Sequence, residues 1–326
     1  MTETTLVGAL NMALHRAMTD DADVVVLGED IGANGGVFRA TDGLFDSFGA
    51  DRVRDTPLAE TAIGGLCVGM AAQGLKPVAE IQFLGFIWPA MDHIVNHASR
   101  LRNRTRGRLS CPMVIRAPTG AGIHAPEHHS ESVESMFAHV PGMRVVIPSS
   151  PQKAYGLMLA AIRDPDPVLF LEPARLYRSV KQDVEDDGRA LPLDKCFTLR
   201  DGTDLTLVTW GAMVMDALAA AEALAAEGIS AEVIDVASIS RFDADTVLAS
   251  VEKTGRCVIV HEAARTSGFG AEVAARLADE GLMSLMAPVE RITAPDVIVP
   301  LPAMEELYIP SAARIREAAR RAVAHQ

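Results

Sequence analysis

A chain of 326 residues that is 49% hydrophobic and 22% charged holds more apolar sequence than one small core needs. Two globular domains are therefore expected, and disordered, collagen-like and disulfide-scaffold classes are excluded. Its 30 Lys and Arg against 43 Asp and Glu leave a net charge of −13, which repels nucleic acid and anionic membrane over most of the surface, so neither is expected as a partner.

In chain order, the N-terminal stretch has no basic region followed by an apolar core, and no later stretch approaches the roughly 18 apolar residues of a membrane span. Cys67, Cys111, Cys196 and Cys257 stand far apart with no C-x-x-C pair, as buried thiols in a reducing compartment do. A soluble cytoplasmic protein is expected. Short β-branched runs at 24–27, 78–81, 113–115, 145–147 and 168–171 alternate with helical patterns, which predicts a mostly parallel sheet with helices on both faces. The spacing of Ile87, Met91, Ile94, Val95, Ala98 and Leu101 predicts a helix that runs into the arginine-rich LRNRTRGR. After Ser150, a natural cap, and Pro151, a natural first residue, Ala154, Leu157, Met158, Ala161 and Ile162 repeat with helical period. This first α/β domain is assigned to residues 1–180.

Residues 181–204 lose all sustained period and read as a linker. The alternation restarts with strands at 205–209, 231–235 and 257–260 and helices after Gly211, near 243–253 and after Gly268, which predicts a second, smaller α/β domain over 205–326.

Several signatures fail. SGFGAEVA lacks the third glycine of a dinucleotide fingerprint, and neither a P-loop nor a G-x-S-x-G elbow occurs. HEAAR has Arg265 where a zincin needs its second His. HAPEHHSE puts His124, Glu127, His128, His129 and Glu131 within eight positions; Pro126 denies them helical register, so a metal site, a solvated loop and a catalytic or substrate-contacting His all stay open. Glu60 heads a small, apolar helical run over 61–72. It reads either as a helix-start acid favoured by the dipole or as an acid entering buried surroundings that favour its neutral form. Phe83, Phe86 and Trp88 concentrate rings in a chain with only 5% aromatics, as core or as a face for a heterocycle. Arg100, Arg102, Arg104, Arg106 and Arg108 read as a solvated face, or as a contact to another subunit or a cofactor phosphate.

The segments VLGEDIGANGGVFRATDGL, DRVRDTPLAETAIGGLCVGMAAQGLKPVAEIQF, GIHAPEHHSESVESMFAHVPGMRVVIPSSP and AIRDPDPVLFLEPARLYR resemble the β subunits of the E1 components of 2-oxo acid dehydrogenase complexes, most closely the pyruvate type. The likeness continues through TDLTLVTWGAMV, VASISRFDADTVLASVEKTGRCVIVHEA and APVERITAPDVIVP, and so spans nearly the whole chain. It implies a transketolase-like pyrimidine-binding domain followed by a transketolase C-terminal domain, working on thiamine diphosphate. Glu60 falls on the family's glutamate that pairs with N1′ of the aminopyrimidine, and Phe86 on the ring stacked against it. His129 falls on the active-site histidine near the substrate and the lipoyl acceptor. The resemblance adds Ile31 on the cofactor side and His128 and Gln82 on the substrate side. It also adds a structural K+ held by backbone at Cys111, Met113, Ala161, Asp164 and Asp166.

No G-D-G with a following Asn-bearing motif, which relatives use to hold Mg2+ and the diphosphate, occurs here. The resemblance therefore implies half a cofactor site. Mg2+ and the diphosphate belong to an E1 α subunit in an α₂β₂ heterotetramer, which hands its acyl group to an E2 dihydrolipoyl acyltransferase. Pyruvate is the favoured substrate; branched-chain 2-oxo acids, acetoin, a one-chain transketolase-like enzyme and a non-catalytic assembly scaffold are the alternatives.

Overall fold

The computed structural model describes residues 1–325. The chain divides into two compact units, one of Met1–Thr119 with Met136–Leu193, the other of Gly120–Ser135 with the chain from Asp194 onward.

In the first unit β1 (Thr2–Thr5) leads into α1 (Leu6–Asp20), which Thr5 caps by accepting the Gly8 N–H. There follow β2 (Val24–Gly28), α2 (Leu44–Phe48), β3 (Val53–Asp55), α3 (Glu60–Ala72), β4 (Lys76–Glu80), α4 (Leu101–Arg104) and β5 (Val114–Thr119). The chain re-enters this unit within α5 (Glu134–Ala138) and continues with β6 (Arg144–Val146), α6 (Pro151–Arg163), β7 (Val168–Pro173) and β8 (Lys181–Val184). Six strands make a parallel sheet in the order β3-β2-β4-β5-β7-β6. Strands β2, β5 and β7 are buried along their full lengths, and β2 and the first four residues of β7 accordingly read as apolar runs. Ser150 caps α6 by accepting the Lys153 N–H, with Pro151 in the first turn, and α6 packs along α1.

The second unit contains β9 (Phe197–Arg200), β10 (Leu205–Thr209), α7 (Met213–Ala225), β11 (Ala231–Asp235), α8 (Ala244–Thr254) and β12 (Cys257–Ala264). Then come α9 (Gly270–Glu280), β13 (Glu290–Ala294), α10 (Glu305–Tyr308) and α11 (Ala312–Ala324). Its sheet runs β13-β12-β10-β11-β9, parallel except for the antiparallel edge strand β9. Leu207, Val233, Val258, Leu224 and Ile315 centre its core. The four cysteines are free, and only Cys196 is not fully buried.

Three elements differ from what the pattern predicts. Residues 87–101 are not one α-helix: 3-10 turns at Trp88–Ala90 and Ala98–Arg100 flank a π-helical stretch at Asp92–His97. The apolar stripe survives, with Ile87, Ile94 and Ala98 buried, but the changed winding re-phases it. Residues 181–204 are not a bare connection, because β8 pairs antiparallel with β1 and β9 joins the second sheet. Finally, α3 does not bury its apolar circumference within this chain. Ile63, Gly64, Cys67 and Ala71 face inward, while Thr61, Ala62 and Gly69 are exposed and Leu66 is 51% exposed. No helix among the described residues is long and apolar enough to cross a membrane.

Candidate active site

From β2 the chain moves to β3 on one side, and from β4 it moves to β5 on the other. The order therefore reverses between β2 and β4, and a parallel sheet opens its ligand crevice at the carboxyl ends of such strands. Ile31 follows the end of β2, Glu60 follows β3, and Gln82 and Phe86 follow β4. Four residues scattered over 56 positions thus share one end of one sheet.

Glu60 is the first residue of α3 and is half-buried, so the fully buried acid that the sequence suggested is a different one. That acid is Glu29, 6% exposed at the end of β2, whose Oε1 has no hydrogen-bond partner. Burial, and then the neighbouring Glu60 carboxylate, push the Glu29 carboxyl above its usual range, while the Ala59 N–H pulls the other way. Two carboxyls, one buried and one at a helix N-terminus, so stand within electrostatic reach of each other, which disfavours charge on the buried one. Glu29 was visible in sequence only as an acid directly after a wholly apolar strand.

Phe86 is half-exposed and meets Phe83 edge to face at 5.9 Å. Gln82 is half-exposed. Ile31 is fully buried, and its carbonyl accepts the Thr41 hydroxyl at 2.7 Å; it shapes the turn after β2 instead of offering surface.

Beneath this end of the sheet runs a buried ionic network. Arg116 on β5 donates Nε and Nη2 to the two oxygens of Glu172 on β7, at 2.6 and 2.7 Å, and Nη1 to Glu80 on β4. The Tyr177 hydroxyl also donates to Glu172. Burial opposes the charge on Arg116, but the two carboxylates overcome it and hold the guanidinium protonated. Gly36, at φ +80°, lies against Glu80; an added Cβ would stand 3.3 Å from both its oxygens. The network thereby supports the turn that follows Ile31.

His128 and His129 are on the segment 120–135, which belongs to the second unit. Pro126 begins a 3-10 turn over Glu127–His129, in which the His129 N–H donates to the Pro126 carbonyl at 2.9 Å. His128 is exposed and 3.6 Å from Glu127, and His129 is half-buried. Among the described residues, the group with metal-ligand spacing is not on this loop but at Asp92, His93 and His97, whose ligand atoms lie within 4.8 Å. There Asp92 accepts from Asn96 through Oδ1 and faces His97 Nε2 at 3.4 Å through Oδ2, and the Arg104 guanidinium approaches His97 Nδ1 at 3.4 Å. The arginine run is exposed.

The five positions matched to a structural cation do come together. The Cys111 N–H donates to the Pro165 carbonyl, the Met113 N–H to Cys111, and the Asp164 N–H to Ala161. Asp164 accepts from Arg144, and Asp166 from Arg102. The carbonyls of Cys111, Met113 and Ala161 each accept one N–H, and a carbonyl has a second lone pair.

The transketolase pyrimidine-binding domain family matches residues 3–180, and the transketolase C-terminal domain family matches residues 194–315. The chain is similar to the pyruvate dehydrogenase E1 component subunit beta of Bacillus subtilis strain 168, with 47% identity over 321 residues that cover 98% of this chain and 99% of that one. The protein of the same description from Staphylococcus epidermidis is 46% identical over 320 residues, 98% of each chain. Among solved structures, a split-gene transketolase described as an inactive beta4 tetramer superposes with a TM-score of 0.81 at 24% identity, covering 99% of both chains. A Pichia stipitis transketolase gives 0.74 at 16% identity, over 99% of this chain and 46% of that one. The solved structures carry the fold, and the sequence relatives carry the family. The chain belongs to the pyruvate dehydrogenase E1 component β-subunit family.

Proposed function

We propose that this chain is the β subunit of a thiamine-diphosphate-dependent E1 that decarboxylates pyruvate and passes the acetyl group to the lipoyl group of an E2 dihydrolipoyl acyltransferase. The observation that carries this is 45–47% identity along essentially the whole length of pyruvate dehydrogenase E1 β relatives. The site geometry agrees with it. Next to Glu60, the buried Glu29 has an oxygen with no hydrogen-bond partner, and Phe86 is a half-exposed ring at the same end of the sheet; these residue types fit a flat, basic aminopyrimidine.

Bound thiamine diphosphate supplies the electron sink that a decarboxylation needs. Glu60 would hold the pyrimidine nitrogen N1′ by a hydrogen bond, and its carboxyl can keep or release the proton at that atom. Glu29, held toward its neutral form, keeps a second proton beside Glu60. Phe86 orients the heterocycle through its face. His129 donates to the substrate carboxylate or to a developing oxyanion, with His128 and Gln82 beside the substrate. Mg2+ and the diphosphate are assigned to an α subunit in α₂β₂, K+ to the carbonyls around Cys111 and Ala161, and the assembly to the cytoplasm. The pyrimidine-binding domain is taken as 1–180 and the C-terminal domain as 205–326.

The test is turnover of the chain reconstituted with its α subunit. Pyruvate is expected to exceed branched-chain 2-oxo acids and acetoin at least tenfold in kcat/KM, and the reverse order would replace the substrate. Glu60→Gln should lower kcat by roughly 100-fold or more while assembly persists. Full activity in that variant would leave only a scaffold.

A further inference from the structure

The second unit has a reversal point of its own. From β10 the chain goes to β11 on one side, and β12 lies on the other, so the crevice opens at the ends of β10 and β12, where Trp210, His261 and Glu262 stand. In doubly wound sheets that crevice takes a ligand. Here the chain's own segment 120–135 occupies it.

The fastening is extensive. Ala121 is fully buried with Ala294, Val299 and Tyr308. Its N–H donates to the Glu262 carboxylate at the end of β12, and Gly120, at φ +88°, lies so close that an added Cβ would be 2.9 Å from Glu262 Oε1. Glu305, 2% exposed at the start of α10, accepts the Gly122 N–H at 2.6 Å through Oε1 and the His124 N–H at 3.2 Å through Oε2. Further along, Glu134, 3% exposed, accepts the Trp210 indole N–H at 3.2 Å. Two of these acids are thus spent on backbone N–H groups of one loop, and the third ties the loop's far end to Trp210, the residue after β10. A buried carboxylate accepting backbone N–H groups makes strong, directional, charge-assisted bonds, and losing one donor strands a charge.

We propose that the switch-point crevice of the C-terminal unit is a socket for the histidine loop, with Glu262 and Glu305 as positioning residues. By accepting the N–H groups of Ala121, Gly122 and His124 they fix where His128 and His129 stand. The socket sets the register of a segment inserted between β5 and α5. This rests on the reading of His129 as a substrate-facing residue.

The test uses the reconstituted α₂β₂ complex with Glu305→Gln, His129→Ala and the double variant. Glu305→Gln replaces one acceptor oxygen by an amide NH2 and should lower kcat for acyl transfer to the lipoyl acceptor about tenfold. The Kd for thiamine diphosphate should change less than twofold, because Glu60 and Phe86 lie on the other unit. In the His129→Ala background, Glu305→Gln should cost less than a further twofold. Losses that multiply, or wild-type kcat in Glu305→Gln, overturn the socket while leaving His129 in place. Wild-type kcat in His129→Ala overturns both that reading and this proposal. Should Glu305→Gln fail to assemble, hydrogen exchange on the wild-type complex decides. Amides of Ala121, Gly122 and His124 as protected as those of β12 support the socket, and exchange at the rate of an open loop overturns it.

Discussion

In the first unit the middle of the sheet carries charge: Arg116 is 1% exposed between Glu172 and Glu80, at 0% and 3%. In the second unit an imidazole at the end of β12 is buried in its neutral form instead. His261, fully buried, stacks on Trp210 with centroids 5.2 Å apart, and Phe269 and Phe242 extend the aromatic cluster edge to face. Burial lowers the His261 pKa to about 4, with Arg291 acting in the same direction, and burial raises that of Glu134. Deeper in this unit, Thr206 shares hydrogen bonds with Ser250 and Thr254, all uncharged. The contrast separates two ways of burying polarity. A guanidinium cannot give up its proton, so it must be paired; an imidazole or carboxyl can, and its cost appears as pH dependence.

The largest effect that would break this contrast is expected at Arg116. Arg116→Met leaves two carboxylates buried without their cation and should cost about 3–5 kcal/mol, read from urea unfolding of the first unit. A loss under about 1 kcal/mol would mean that the carboxylates simply take protons, and the two units would then bury polarity alike.

Next comes the pH dependence of the second unit. The folded His261 pKa of about 4 lies below the ordinary 6.5. Between those values the unfolded chain binds a proton that the folded chain refuses. The contribution of His261 is therefore complete above about pH 6.5 and is lost as pH falls toward 4, amounting to at most about 3 kcal/mol. Trp210 fluorescence, beside the imidazole, reports it during denaturant titrations at several pH values. His261→Leu should flatten that slope, and an unchanged slope would place the titration elsewhere.

The smallest effect sharpens the neutral side of the comparison. A Cβ on Gly270 would stand 2.6 Å from His261 Cδ2 and 2.7 Å from Nε2. Gly270→Ala should therefore cost about 1–3 kcal/mol by overpacking, with a matching fall in Tm and altered Trp210 emission. A silent substitution would show that the imidazole has room to move.

Much of the scaffold was legible because its signals are local. The runs at 24–27 and 168–171 are apolar because strands covered on both faces leave no polar side, and these runs and those at 205–209 and 231–235 are all strands in the structure. Ser150 and Pro151 mark a helix start by chemistry that involves only neighbours. Residues 87–101 misled for the same reason: the apolar stripe is real, but a π turn depends on packing beyond the window. At the candidate site, Glu60 and Phe86 stood out by residue type and family motif. Glu134, Glu262 and Glu305 did not, and Glu29 had only the apolar strand before it, since little that is local distinguishes a buried acid from a surface one.

The sequence by itself determined the two α/β sheets, the acidic surface and the family, because periodicity, composition and long motifs are written along the chain. Only the tertiary structure decided that Glu29 is the buried acid beside Glu60, and that residues 120–135 leave the first unit to be clamped in the second. Both outcomes are set by which groups from distant segments exclude water together, so they exist only once the chain has closed on itself.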